Sequence, residues 1–90
     1  MVVVTPIQER RGGMETVYVL IKTQPGLVEP ILHEVASNPA VAEAVAVTGA
    51  YDILAKVERE FVTEALSVIV KELRQIEGVT STETLVALRT

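Results

Sequence analysis

The sequence predicts an α+β sandwich: a four-stranded antiparallel sheet carrying two helices on one face, in the order βαββαβ. Three observations point there. Two segments with helical apolar spacing are each flanked by runs of apolar, β-branched residues. The two middle runs are joined by a few residues around Gly49, the length of a hairpin connection. Each half of the chain also repeats one plan of strand, two-row amphipathic helix, short stop and a strand beginning with Val. The repetition is one of architecture and not of residue identity.

Residues 1–13 stand apart. A Val triplet, Pro6, the polar string Gln8-Glu9-Arg10-Arg11 and the pair Gly12-Gly13 fit neither period. They are expected to form a flexible N-terminal arm with a glycine hinge, and the folded domain is expected over 14–90. Thr16–Thr23 reads as the first strand, with Val17, Val19 and Ile21 on one face and Tyr18 and Leu20 on the other. Pro25-Gly26 ends it. Leu27–Ser37 then has helical spacing, with Leu27, Ile31 and Val35 in one row and Val28, Leu32 and Ala36 in the next. Pro30 falls in the first turn, where its missing N–H removes no intrahelical bond. Asn38-Pro39 stops the helix.

Val41–Val47 is the second strand, and Gly49 lets the connection that follows take positive φ. Tyr51–Glu58 is the third, with Ile53, Ala55 and Val57 on one face and Leu54 among Asp52, Lys56 and Glu58 on the other. Glu60–Gln75 is the second helix, its apolar stripe running from Phe61 and Val62 to Leu73 and Ile76. Gly78 stands where a C-cap glycine belongs. Val79–Leu88 is the fourth strand, with Thr80, Thr82 and Thr84 on one face. Two right-handed crossovers joined by an antiparallel hairpin make the split βαβ, or ferredoxin-like, arrangement.

The totals narrow the function. Ninety residues make one small domain, which buries only roughly 60–65% of its unfolded surface and gains from association. Apolar residues are 49% of the chain with very few aromatics, so Val, Leu, Ile and Ala build the core. With helices on one side only and a first strand apolar on both, the open sheet face is expected to be broadly apolar and covered by another copy. The net charge is −4 and no basic cluster exceeds Arg10-Arg11, which argues against direct nucleic-acid contact. There is no cysteine, which removes disulfides, thiolate nucleophiles and Cys-based zinc sites. No apolar run approaches the ~20 residues of a membrane span, and the N-terminus lacks a signal-peptide pattern, so a cytoplasmic location is expected.

Catalysis has no visible residue set. His33 is the single histidine, on the polar side of its helix, and reads as a solvated surface residue. Glu58 and Glu60 flank Arg59 at a strand end and read as a solvated edge. No glycine-rich phosphate cradle occurs, and no cofactor is expected. The turn Gly49–Asp52 is different. Backbone amides around Gly49-Ala50 can hold an anion such as an α-carboxylate. The Asp52 carboxylate either caps the turn's own amides or takes an ammonium from outside the chain. Tyr51 adds an apolar wall with a polar tip. Together they suit a zwitterion, while a plain structural turn accounts for the same residues. Thr80, Thr82 and Thr84 can hydrogen-bond a ligand, though β propensity explains them as well.

The run Val47-Thr48-Gly49-Ala50-Tyr51-Asp52-Ile53-Leu54-Ala55-Lys56-Val57 resembles the V-x-G-x-Y/F-D-x-L-x-K-V signature of the Lrp/AsnC (feast/famine) transcriptional regulators. Pro39-x-Val41 fits the entry to the preceding strand. Ile76-Glu77-Gly78-Val79 followed by Thr82-x-Thr84 is similar to that family's L-P-G-V…T-x-T close. The resemblance covers about Thr16 to Leu88 and falls in the effector, or RAM, domain. It implies a ferredoxin-like domain that pairs through its sheet and assembles dimers into an octamer or decamer. It also implies a small amino-acid effector bound between dimers, contacted by Gly49, Ala50, Tyr51, Asp52, Thr82 and Thr84. Thirteen unrelated residues stand in place of the family's helix-turn-helix, so a stand-alone domain is expected, one that acts alone or joins full-length regulators. Ala50 occupies a position where the family commonly has a polar or acidic residue. The competing readings are a small dimeric ferredoxin-like enzyme, an ACT-like regulatory module and a structural subunit with an empty site.

Overall fold

A computed structural model describes residues 14–86 and has the expected order: β1 (Glu15–Thr23), α1 (Val28–Ala36), β2 (Val41–Ala46), β3 (Ile53–Arg59), α2 (Val62–Lys71) and β4 (Val79–Val86). A single 3₁₀ turn, Leu73–Gln75, separates α2 from β4. The expected arm, residues 1–13, and the last residues expected in the fourth strand lie outside the described residues.

Alternation along β1 organises the sheet, whose order is β2-β3-β1-β4 with every pair antiparallel. Val17, Val19 and Ile21 are fully buried and face Val57, Ala55 and Ile53 across the β1–β3 ladder. The helices set Ile31, Val35, Ala65, Val68 and Ile69 onto that surface. Each such large aliphatic side chain stabilises by about 1.5–3 kcal/mol when fully buried, which is how a core without aromatic mass holds together.

The helix ends show what the sequence pattern could not resolve. At the end of α1, Ser37 Oγ donates to the Glu34 carbonyl (2.7 Å), and Asn38 Oδ1 accepts from Ala40 N (2.9 Å). Asn38 Nδ2 also donates to Glu72 Oε1 (2.8 Å), tying the loop after α1 to the end of α2. At the start of α2, Glu64 Oε1 accepts from Phe61 N (3.2 Å), which is half of a capping box. Phenylalanine has no acceptor to return, and the Glu64 amide bonds the Phe61 carbonyl instead. The continuous helix expected over Glu60–Gln75 is divided. Glu72, at φ −118° and ψ −59°, leaves the α path, and the following turn tightens to 3₁₀ with Leu73 only 1% exposed.

The open face of the sheet differs from expectation. Cross-strand registers place Tyr18, Leu20, Leu54, Val45 and Leu85 there, but Lys22, Glu43, Lys56, Glu58 and Glu83 alternate among them. The face is therefore mixed and not broadly apolar, because the outer strands add as many charges as apolar groups. Lys56 and Glu58 form an ion pair on it (3.6 Å). Tyr18 lies beside this pair, and its phenol is raised above the usual value by burial first and then by the Glu58 and Glu43 carboxylates. Both outer strands carry a register shift, β2 between Val41 and Glu43 and β4 opposite Lys22–Thr23.

Candidate functional site

The segment between β2 and β3 is a hairpin connection held at its base by Val47 N donating to the Asp52 carbonyl (2.9 Å). Gly49 takes φ +114°, a conformation that L side chains rarely adopt, which is why the turn needs glycine there. The tip does not stand free in solvent. It reaches over the end of β1 and on to β4, two strands away from β3 in the sheet order.

Four hydrogen bonds hold it there. Asp52 N donates to the Ile21 carbonyl (2.9 Å), just past the last β1–β3 pair, Ile21 with Ile53. Asp52 Oδ2 accepts from Thr23 N at 2.9 Å, with the Thr23 hydroxyl also near it at 3.4 Å. Lys22 Nζ donates to the Ala50 carbonyl (3.3 Å). Tyr51 Oη donates to Glu83 Oε1 on β4 (2.9 Å). That last bond holds the Tyr51 phenol above its usual value, since the carboxylate accepts the proton that ionisation would remove.

These contacts change the picture of Asp52. Its Oδ2 caps the buried end of β1, and among the described residues the carboxylate accepts from none of the turn's own amides. Gly49 and Ala50 are exposed, and their amides make no hydrogen bond among the described residues, so they are open to an anion. Thr82 and Thr84 are not brought together with Tyr51. They lie opposite Ile21 and Val19, on the helix side of β4, whereas Glu83, opposite Leu20, is on the open face with Lys22. Thr80 sits at the register shift and donates its hydroxyl to the Lys22 carbonyl (3.2 Å). Within one protomer, then, the hairpin residues cluster and the two threonines stand on the other side of the sheet edge.

Sequence reasoning missed Lys22, Thr23 and Glu83. Strand alternation was the available signal for two of them. It sets Lys22 in line with Tyr18 and Leu20, and it turns Glu83 away from Thr82 and Thr84. Thr23, 29 positions from Asp52, left no such trace. Among the described residues no group of His, Cys, Asp and Glu could hold a metal ion, and no helix is long and apolar enough to cross a membrane.

Comparison with known proteins agrees with the fold. Residues 16–90 match the family model of the Lrp/AsnC ligand binding domain. An HTH-type transcriptional regulator of Pyrococcus furiosus is 36% identical over 78 residues, which is 83% of this chain and 52% of that protein. The chain thus spans about half the length of the curated relatives it matches. The crystal structure of TTHA0845 from Thermus thermophilus superposes with a TM-score of 0.79 at 38% identity, covering 84% of this chain and 95% of that one. The transcriptional regulator NMB0573 of Neisseria meningitidis, solved as an L-Met complex, gives a TM-score of 0.72 over 83% of this chain and 50% of its own. At 16% identity it speaks to the fold alone.

Proposed function

The chain belongs to the Lrp/AsnC ligand-binding-domain family, and from that premise we propose that it is an amino-acid-sensing oligomerisation domain. It binds a small amino acid at subunit interfaces and alters the transcriptional regulators with which it assembles. The relatives are transcriptional regulators, and no reaction is proposed for this chain. The proposed division is an arm over residues 1–13 and the effector domain over 14–90.

The observation that carries this reading is the position of the Gly49–Asp52 hairpin. It is fastened across the sheet end at the margin of an uncovered face, with the Gly49 and Ala50 amides exposed. A second copy seated on the open face would leave that margin at the rim of the contact. Neighbouring dimers would then bring Thr82 and Thr84 of one protomer toward the hairpin of another, supplying the groups that a single protomer keeps apart. Dimers assembling into an octamer or decamer provide such contacts. Ligand binding reaches the DNA affinity of the assembled regulators through the assembly itself.

The test is the solution mass by light-scattering chromatography, with and without each of the twenty L-amino acids. The expected result is a mass of eight or ten protomers that shifts or sharpens with one of them. A dimer indifferent to all twenty would remove the sensing claim.

A further inference from the structure

We propose that Lys22 and Glu83 are the charged groups that recognise the two ends of the amino-acid zwitterion, and that the hairpin tip keeps them apart for that purpose. This rests on the amino-acid reading above. In the β1–β4 register Lys22 lies opposite Ser81 and Leu20 opposite Glu83. Lys22 and Glu83 are therefore diagonal neighbours on one face, roughly 7–8 Å apart at that relation. Opposite charges at that relation are within reach of long side chains and attract each other, and another Lys and Glu on the same face, Lys56 and Glu58 along β3, are paired.

Here they do not close. The Lys22 ammonium turns to the Ala50 carbonyl, and the Glu83 carboxylate takes the Tyr51 hydroxyl. Each bond leaves capacity unused. An ammonium has three donors and a carboxylate two oxygens, and one of each is engaged. An α-carboxylate directed to Lys22 and an α-ammonium directed to Glu83 would bridge the gap, with the Tyr51 ring beside the ligand's own side chain. Asp52, the acceptor suggested by the sequence, holds the end of β1 through Oδ2, whereas Glu83 stands on the same face as Lys22 and on its diagonal. The Lys56–Glu58 pair is unsuited, since a zwitterion would first have to break it.

Calorimetry with the twenty L-amino acids tests this on the full chain, in the wild type, Lys22→Met and Glu83→Gln, with far-ultraviolet dichroism confirming that each variant folds. The amino acid that binds the wild type should bind each variant roughly ten- to a hundredfold more weakly, the range for hydrogen bonds to charged groups. Its methyl ester should be insensitive to Lys22→Met, and its N-acetyl derivative insensitive to Glu83→Gln. A wild type that binds while both variants stay within about twofold of it would overturn the assignment and leave amino-acid sensing intact. An ester as sensitive to Lys22→Met as the free amino acid would overturn the role of Lys22. A wild type that binds none of the twenty would remove both this proposal and the reading beneath it.

Discussion

Replacing Asp52 with alanine is expected to weaken the fold itself, apart from any effect on ligand. Thr23 is 6% exposed and its amide donates to Asp52 Oδ2 at 2.9 Å. Truncation strands that N–H where water does not reach it, at a cost of about 1–3 kcal/mol. The Thr23 hydroxyl adds little, because its contact with Oδ2 is long at 3.4 Å and it also reaches the Gln24 carbonyl at 3.3 Å. The loss should therefore centre near ~2 kcal/mol for Asp52→Ala. It should be about half that for Asp52→Asn, which keeps an acceptor oxygen but loses the charge. Urea unfolding of the three proteins at matched protomer concentration measures this, since association shifts apparent stability. Hydrogen exchange at the Thr23 amide localises it, with protection falling about thirtyfold in Asp52→Ala. Unfolding midpoints that coincide, with unchanged Thr23 protection, would show that the carboxylate is no cap and that its hydrogen bond stabilises nothing.

Two further outcomes follow from named contacts. Gly78 (φ +98°) and Gly49 (φ +114°) both resist a side chain, but a Cβ at Gly78 would sit 2.8 Å from Ile31 Cδ1 and 2.9 Å from Leu27 Cδ1, whereas the space at Gly49 is open. Gly49→Ala should lose about 1–2 kcal/mol from backbone strain, and Gly78→Ala should lose about 1–3 kcal/mol more from overpacking. Equal losses in denaturant would refute the steric part. For Tyr51, the bond to Glu83 favours the neutral phenol, so its folded-state value lies above 10.0. Its contribution is complete below that pH and is lost as pH rises through the raised value. Ultraviolet titration of the chain's two tyrosines should show Glu83→Gln lowering Tyr51 while leaving Tyr18, raised chiefly by burial, in place.

Period and punctuation made the element order, the faces of β1 and β3 and the hairpin legible. They did so because burial imposes alternation on a strand and Gly49 and Gly78 mark the places that require positive φ. The break after Lys71 was not legible, since Glu72, Leu73 and Arg74 continue a good helical pattern and only packing against the sheet decides that the last turn tightens. The site was half legible. Gly49 through Asp52 form a contiguous stretch with readable turn chemistry. What Asp52 does depends on Thr23, and the partners of Ala50 and Tyr51 are Lys22 and Glu83 on two other strands. Local sequence carries no record of such pairings. They exist only once the register of β1 against β4 is set. The mixed open face was missed because Glu43 and Glu83 come from the outer strands, whose residues join the face of Tyr18 and Leu20 only through pairing, and in β2 only after a register shift between Val41 and Glu43.

Those shifts bear on how copies of this chain can meet. An unbroken outer strand offers a straight row of free amides and carbonyls, and further strands can add to it without end, as in fibres. A slipped residue bends the strand and interrupts that row. With a register shift in β2 between Val41 and Glu43 and another at the start of β4, each border carries an interruption of that row. Association is turned toward faces and loops. Contacts of that kind can close on themselves under rotational symmetry and end in a particle of fixed size.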